Sequence, residues 1–572
     1  MRLWSQHVGI RINWISPGPD TSENLVPSSE AYNAFIQKTI LAMAIVAILV
    51  GSFFRGYHLD SKTFWGDEIV GLVHMLGYTE AEIVRAGPNV RTASDIQAYF
   101  HLSGPGNEGP RPLIATVRSL ATEDPQHPPV YYLMGRLWAS WAGLGPAALR
   151  TLPFIFGLLS IGAMAWLAFE LFHSARAALI AASLYAISPF EVLYSQEARE
   201  ITLWSLETLV SSALLLRAAR SGRTGPWIMY GLTSAVSLYT YPLAAFVMVA
   251  HCGAVLISPA LRNREVLLRY CLASAAATLP FLPWLFIIIT SESGAKGFGA
   301  LLANKPSALG VVLIFMRDIK ATMVDVGMVA PGTAARLTLS VAGTAILLTT
   351  LYSVARLTWV SPRETANRFI LALFAIPAVP LLLMHGGALA GQIRYLQPTY
   401  LATQLALTAF LHATLANQRA SRPRSFACAA AYSLIVALSA LSCFISADAD
   451  TWYHKAYERT PQVAAIINQT DRPLVIGDLA VVNDRGTSRV LELGYYLKPD
   501  VAMRVNLHCE MCLIPPPAPI DVFADAEQFS NVFVLGMLKR TIPAGHYAVR
   551  QLGIDIDPVK RGPLEMFTQY PR

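Results

Sequence analysis

Eleven apolar stretches recur along the 572-residue chain, and they constrain its fold more than any other feature. They run near 39–54, 149–171, 177–193, 200–217, 226–242, 243–260, 267–289, 334–355, 368–384, 395–415 and 426–446. An α-helix needs about 20 apolar residues to cross a bilayer. Inside the hydrocarbon layer only helices or closed barrels satisfy their own backbone. Charged residues are 14% of the chain, against about 25% in soluble proteins. The sequence thus predicts a polytopic α-helical membrane protein whose first partner is the lipid bilayer. Its net charge of +7 does not point to nucleic acid, because the basic residues gather in short loops between apolar stretches. Residues 1–38 are polar and mixed, with no short apolar core leading to a cleavage site, so a cytoplasmic N-terminal segment is expected rather than a removable signal.

Orientation follows from arginine. The loops 217–225, 261–269, 356–368 and 416–424 each carry three arginines, which assigns them to the cytoplasmic side. Alternation then puts 55–148, 194–199, 290–333, 385–394 and everything after 447 on the opposite side. Residues 129–145, "PVYYLMGRLWASWAGLG", resemble a short span but would reverse every later loop. They are expected to lie as an interfacial or re-entrant helix, with Arg136 and its aromatic neighbours at the membrane surface. "SALGVVLIFM", 307–316, is also too short to span. The expected organisation is a membrane domain over 39–446, with a long first loop at 55–148, and a small soluble domain over 447–572.

Past Ala447 the pattern changes. "RPLVIGDLAVV", "NVFVLGML" and "HYAVRQLGI" read as strands and "SRVLELGYYL" as a helix, giving an α/β or α+β domain. Cys509 and Cys512, in "HCEMC", suit a local disulfide or an idle thiol pair outside the cytoplasm. Four further cysteines, Cys252, Cys271, Cys428 and Cys443, sit in apolar stretches and read as small hydrophobes.

The polar residues on the outer side fall into several clusters. "TFWGDEIVGLVH" sets Asp67 beside Glu68 in surroundings too apolar for an ordinary loop. Partial desolvation there favours a carboxyl that works as a general base. "SPFEVLYSQEAREITLW" carries Glu191, Glu197 and Arg199, "HPPVYYLMGRLW" carries His127, and "AALRTLPFIFG" and "GGALAGQIRYLQPTY" carry Arg150 and Arg394. Carboxylates and arginines thus gather at one membrane face from distant segments. No glycine-rich nucleotide loop accompanies them. An activated donor at that face has to arrive on a lipid, and arginines suit its phosphate.

"WGDE", "HPPVYYLMGRLW", "ALRTLPFIFGLLSI", "SPFEVLYSQEAR" and "RYLQP" occur in an order that resembles the GT-C membrane glycosyltransferases. The resemblance is to the branch of protein O-mannosyltransferases and of lipid A aminoarabinose and galacturonic acid transferases. It covers residues 40–200 well and 390–400 weakly. It implies a GT-C-like bundle with interfacial helices in the first outer loop, a polyprenyl-phosphate-linked sugar as donor, and an acceptor hydroxyl on a glycolipid, polysaccharide or protein. It further implies inverting hexosyl or pentosyl transfer at the extracytoplasmic face, as in a bacterial inner membrane. Asp67 then serves as the base, with Glu68 and Glu197 holding Asp67, the sugar or the acceptor. Arg199, Arg394 and Arg150 take the donor phosphate, and His127, Tyr131, Tyr194, Gln196 and Tyr395 are assigned to substrate binding. Some relatives use a divalent metal, but no residue here is assigned to one. One departure from the family pattern is Glu200: an aromatic and an aliphatic residue are expected after the motif arginine, and Glu200 puts a carboxylate in place of an apolar residue. A lipid-linked sugar flippase or transporter is the alternative reading, and it would call for charges buried mid-span and an inverted repeat.

The arginine pattern predicts that a reporter fused after Asp448 is active only on the extracytoplasmic side. A cytoplasmic signal there would overturn both the topology and the side assigned to the acidic pair.

Overall fold

The computed structural model describes residues 29–291, 307–325, 327, 332–360, 364–389, 393–416, 421–449, 460–480, 485–508, 524–535, 548–551 and 565–568. All eleven apolar stretches fall on helices. Among the described residues six are long and apolar enough to cross a membrane: Tyr32–Gly56, Pro146–Phe172, Ile201–Ser221, Arg264–Thr290, Ala334–Trp359 and Arg422–Ala447. A seventh results if Ala175–Ile187 and Pro189–Ser195, bent by 64°, count as one span. The bend has a local cause. Pro189 lacks the N–H that would continue the ladder, and the Ser188 hydroxyl caps the new helix by accepting from Glu191 N. The other four stretches form Thr224–Thr240, Ala244–Ile257, Thr365–Leu389 and Gln397–Ala416. Of these, Ala244–Ile257 and the described part Thr365–Pro380 are shorter apolar helices.

Residues 129–145 form Val130–Ala142, a helix of 13 residues and about 20 Å. Leu137 and Trp141 on it are exposed. Arg136 is not at the surface, as its sequence context suggests, but buried. It donates to Thr116 Oγ1 at 2.8 Å and to the carbonyls of Met75 and Arg111, clamping the first-loop helices together. The stretch 307–316 lies on Ala308–Ala321.

The C-terminal residues form a five-stranded sheet of order β2-β1-β3-β5-β4. Its strands are β1 (Pro473–Ala480), β2 (Ala502–His508), β3 (Asn531–Leu535), β4 (Ala548–Gln551) and β5 (Glu565–Thr568). β1 pairs parallel with β2 and β3, while β5 runs antiparallel to β3 and β4. Parallel neighbours need a crossover, and the helix Arg485–Tyr496 supplies it between β1 and β2. β2 and β5 were not anticipated from the sequence. Cys509 and Cys512 lie outside the described residues.

This sheet does not sit apart from the first loop. Ala93 N donates to Val501 O at 2.9 Å and Met503 N to Arg91 O at 2.8 Å, so the loop adds a short antiparallel bridge to β2. Phe64, Ile69, Leu72 and Val73 of the loop share one buried core with Val490, Leu491, Leu493 and Val475. Phe64 N donates to the Tyr496 hydroxyl at 2.6 Å.

Two polar ties fix the path from the first span to the acidic pair. The Lys62 ammonium donates to the carbonyls of Ser446, Ala447 and Ala449, capping the negative end of the last membrane helix. Deeper in, Arg150 meets Glu68 as a two-pronged ion pair, Nε–Oε1 2.8 Å and Nη2–Oε2 2.6 Å, with both side chains almost wholly buried. The remaining Arg150 donors reach Leu59 O at 2.9 Å, Lys62 O at 3.0 Å and Thr63 O at 2.9 Å. Removing one partner of a buried pair strands the other charge, at a cost of about 3–5 kcal/mol. Arg150→Ala should lose that much in reversible unfolding from detergent micelles, and a loss below about 1 kcal/mol would show that the pair does not hold the loop.

Candidate active site

The acidic pair opens the helix Gly66–Met75, with Asp67 and Glu68 in its first turn, where carboxylates face the positive end of the helix dipole. Gly66 precedes them with its bare face toward the C-terminal helix. A Cβ there would lie 3.3 Å from Ser488 Cβ and 3.5 Å from Glu492 Oε2. The close approach that glycine allows is therefore to another helix of this chain.

The two acids take different directions. Glu68 points inward to Arg150 and also accepts from Ala198 N at 2.8 Å. Asp67 is partly open, its side chain 35% exposed. Its Oδ2 lies 3.2 Å from Arg199 Nη1 and 3.3 Å from Arg394 Nη2. Arg199 follows the bent helix pair, and Arg394 stands in the short turn Ile393–Leu396 before the helix Gln397–Ala416. Three segments far apart in sequence thus meet at one carboxylate.

Behind Arg199 the chain of charges continues. Glu200, fully buried, pairs with Arg199 Nε at 3.4 Å. His127 Nε2 lies 2.9 Å from Arg199 Nη2 and 3.6 Å from Glu200 Oε1. Its Nδ1 lies 2.7 Å from Asp124 Oδ2. Burial disfavours charge on His127, but Asp124 and then Glu200 favour it, so the ring keeps its proton to higher pH than a free imidazole. Burial alone would push the Asp124 carboxyl up. The charge and hydrogen bond of His127 outweigh it and hold Asp124 well below the usual carboxylate range.

The remaining assigned residues divide. Tyr395 lies beside Arg394, with the guanidinium 5.8 Å from the ring centre, and its ring is 6.4 Å from that of Tyr241. Tyr241 in turn faces His127 at 6.2 Å. Tyr131 and Tyr194 are buried, Tyr131 edge-on to Tyr132 and Tyr194 edge-on to Phe190. Gln196 is used structurally, its Nε2 donating to Phe54 O at 2.5 Å and Tyr57 O at 2.9 Å at the end of the first span. Glu197 is buried, and its carbonyl accepts from Arg199 N at 2.7 Å, tightening the turn that aims the arginine. Arg150 is a correction: all five of its N–H groups are engaged within the protein, which leaves none for a phosphate.

Sequence reading missed Asp124 and Tyr241. Asp124 had a signal, standing three residues before His127 in "DPQH"; Tyr241 had none, since it comes from a span. Glu200 was visible only as a departure from a pattern. Among the described residues no three carboxylate, imidazole or thiolate side chains converge as a metal-ligand set. The neighbours of Asp67 are guanidinium cations, which suit an anion and not a metal ion.

Residues 126–286 match the model of the dolichyl-phosphate-mannose-protein mannosyltransferase family. No curated protein matches the chain. Among solved structures, ArnT from Cupriavidus metallidurans bound to undecaprenyl phosphate is similar with 12% identity and a TM-score of 0.48, over 94% of this chain and 99% of that one. The Archaeoglobus fulgidus oligosaccharyltransferase in complex with Zn and sulfate is similar with 13% identity and a TM-score of 0.44, over 81% of this chain. The match covers 62% of that protein, so the chain spans less than two thirds of its length. The family match is thus confined to residues 126–286, the stretch that holds His127, Arg150, Glu197, Arg199 and Glu200.

Proposed function

We propose that the protein transfers a sugar from a polyprenyl-phosphate-linked donor to an acceptor hydroxyl, with inversion, at the extracytoplasmic end of its bundle. The observation that carries this reading is the meeting of one partly open carboxylate, Asp67, with two buried arginines, Arg199 and Arg394. That grouping supplies a base and a cationic cradle within one side chain's reach. The family match to a mannosyltransferase that takes its sugar from a lipid phosphate supports the donor class.

In this mechanism Asp67 takes the proton of the acceptor hydroxyl as its oxygen attacks the anomeric carbon. The bond from that carbon to the phosphate oxygen breaks, and its electron pair leaves with the polyprenyl phosphate. The negative charge that builds on the phosphate is met by Arg199 and Arg394, whose burial strengthens the interaction. Glu200, His127 and Gln196 act on the geometry: the first two brace Arg199, and Gln196 anchors the turn. Glu68 and Arg150 hold the helix that presents Asp67. The sheet domain, on the same side, covers the start of that helix. A glycolipid, polysaccharide or protein hydroxyl serves equally well as acceptor chemistry.

The purified protein, given a polyprenyl-phosphate sugar and an acceptor, should lose about 10²–10⁴-fold in turnover on Asp67→Asn, the usual loss for a general base. Turnover within about twofold of the parent would remove Asp67 from the chemistry. Glu200→Gln unbalances Arg199 without touching the reacting atoms, so it should cost less than Asp67→Asn in the same assay. An equal or larger loss would move Glu200 into the reaction itself.

A further inference from the structure

The two roles given to the site compete for the same arginines. Asp67 Oδ2 accepts from Arg394 Nη2 at 3.3 Å and pairs with Arg199 Nη1 at 3.2 Å, and a carboxylate held between two cations is a weak base. The arginine side chains are 6% and 8% exposed, whereas Asp67 is 35% exposed. The cations are therefore fixed in the wall and the carboxylate is the member with room to move. Arg199 is braced from behind by Glu200 and His127. Among the described residues the Nε–H of Arg394, like that of Arg199, is buried with no hydrogen-bond acceptor. A buried guanidinium with an unfilled N–H is costly, and an anionic oxygen that reached it would offset that cost.

We propose that the Asp67 carboxylate occupies the phosphate subsite in the resting protein, and that the donor's phosphate displaces it and thereby frees it to act as the base. This inference rests on the proposed transfer reaction and adds its order of events. The donor phosphate, a diester with one negative charge, takes the Arg199 and Arg394 donors, including the unfilled Arg394 Nε–H. Asp67 swings toward the acceptor. During transfer Asp67 gains the acceptor's proton and becomes neutral, while the leaving phosphate becomes a monoester and gains charge. The arginines then hold the product, and neutral Asp67 does not compete. Proton loss from Asp67 to solvent restores the carboxylate, which returns to the arginines and expels polyprenyl phosphate. Without a donor the base stays locked, so water at the open site is not activated.

The test is the affinity of purified protein in detergent micelles for polyprenyl phosphate, with neutral polyprenol and inorganic phosphate measured alongside. Removing the resident anion should tighten polyprenyl phosphate binding in Asp67→Asn by about tenfold, the worth of one charge-assisted hydrogen bond. Polyprenol binding should not change. Arg394→Gln should weaken polyprenyl phosphate and abolish the gain when combined with Asp67→Asn. An affinity in Asp67→Asn equal to or weaker than the parent's, or a gain shared by polyprenol, overturns the displacement. A gain for inorganic phosphate without one for polyprenyl phosphate overturns the lipid as its source. Lost turnover with unchanged affinity would leave Asp67 as base and sink only the displacement. Retained turnover would instead sink the function it rests on.

Discussion

The buried fork between Arg150 and Glu68 sets the geometry on which the site depends. Two charges taken from water are stable only when nearly every donor and lone pair is satisfied. Here the guanidinium spends all five N–H groups, on Glu68 and on the carbonyls of Leu59, Lys62 and Thr63. That arrangement tolerates little rotation. It fixes the first helical turn after Gly66 against the span Pro146–Phe172. Successive residues on a helix diverge by about 100°. With Glu68 forced inward, Asp67 is directed sideways, toward the arginines. The direction of Asp67 is a consequence of its neighbour's burial.

The charges around Asp67 alternate in sign: Asp124, His127, Glu200, Arg199, Asp67, Arg394. In a low-dielectric bundle an isolated charge is very costly and a run of alternating charges much less so. Glu200, which looked like an intrusion into an apolar position, offsets Arg199 from the side away from Asp67. It lets a buried arginine remain charged while its other face stays directed at the open acid.

Much of this was legible in the sequence because the bilayer simplifies the problem. Length and apolarity located the helices that carry the eleven apolar stretches, and the arginines at 199 and 394 stand out as ionisable groups at span ends. What was not legible depends on side-chain direction. Nothing in "GDE" says which acid turns inward, and nothing in "AALRTLP" says that Arg150 finds carbonyls and not a ligand. Arg136 was assigned to the surface because its neighbours are aromatic, yet the first-loop helices fold back to bury it. β2 was missed because "AMRVNLH" carries weak strand propensity alone and is held by its pairing with β1.

The helix Arg485–Tyr496 also bears on how the protein is made. Phe64 and the Tyr496 hydroxyl that accepts from its N–H are 432 residues apart in sequence. During synthesis the acid helix therefore leaves the ribosome long before the surface that will cover it exists. The membrane helices can insert and pack in the meantime, but the apolar face of Phe64, Ile69, Leu72 and Val73 must wait, uncovered, for its partner. The last fifth of the chain thus acts as a closing step in assembly, and a polypeptide released early would carry its membrane bundle with the acid helix still bare.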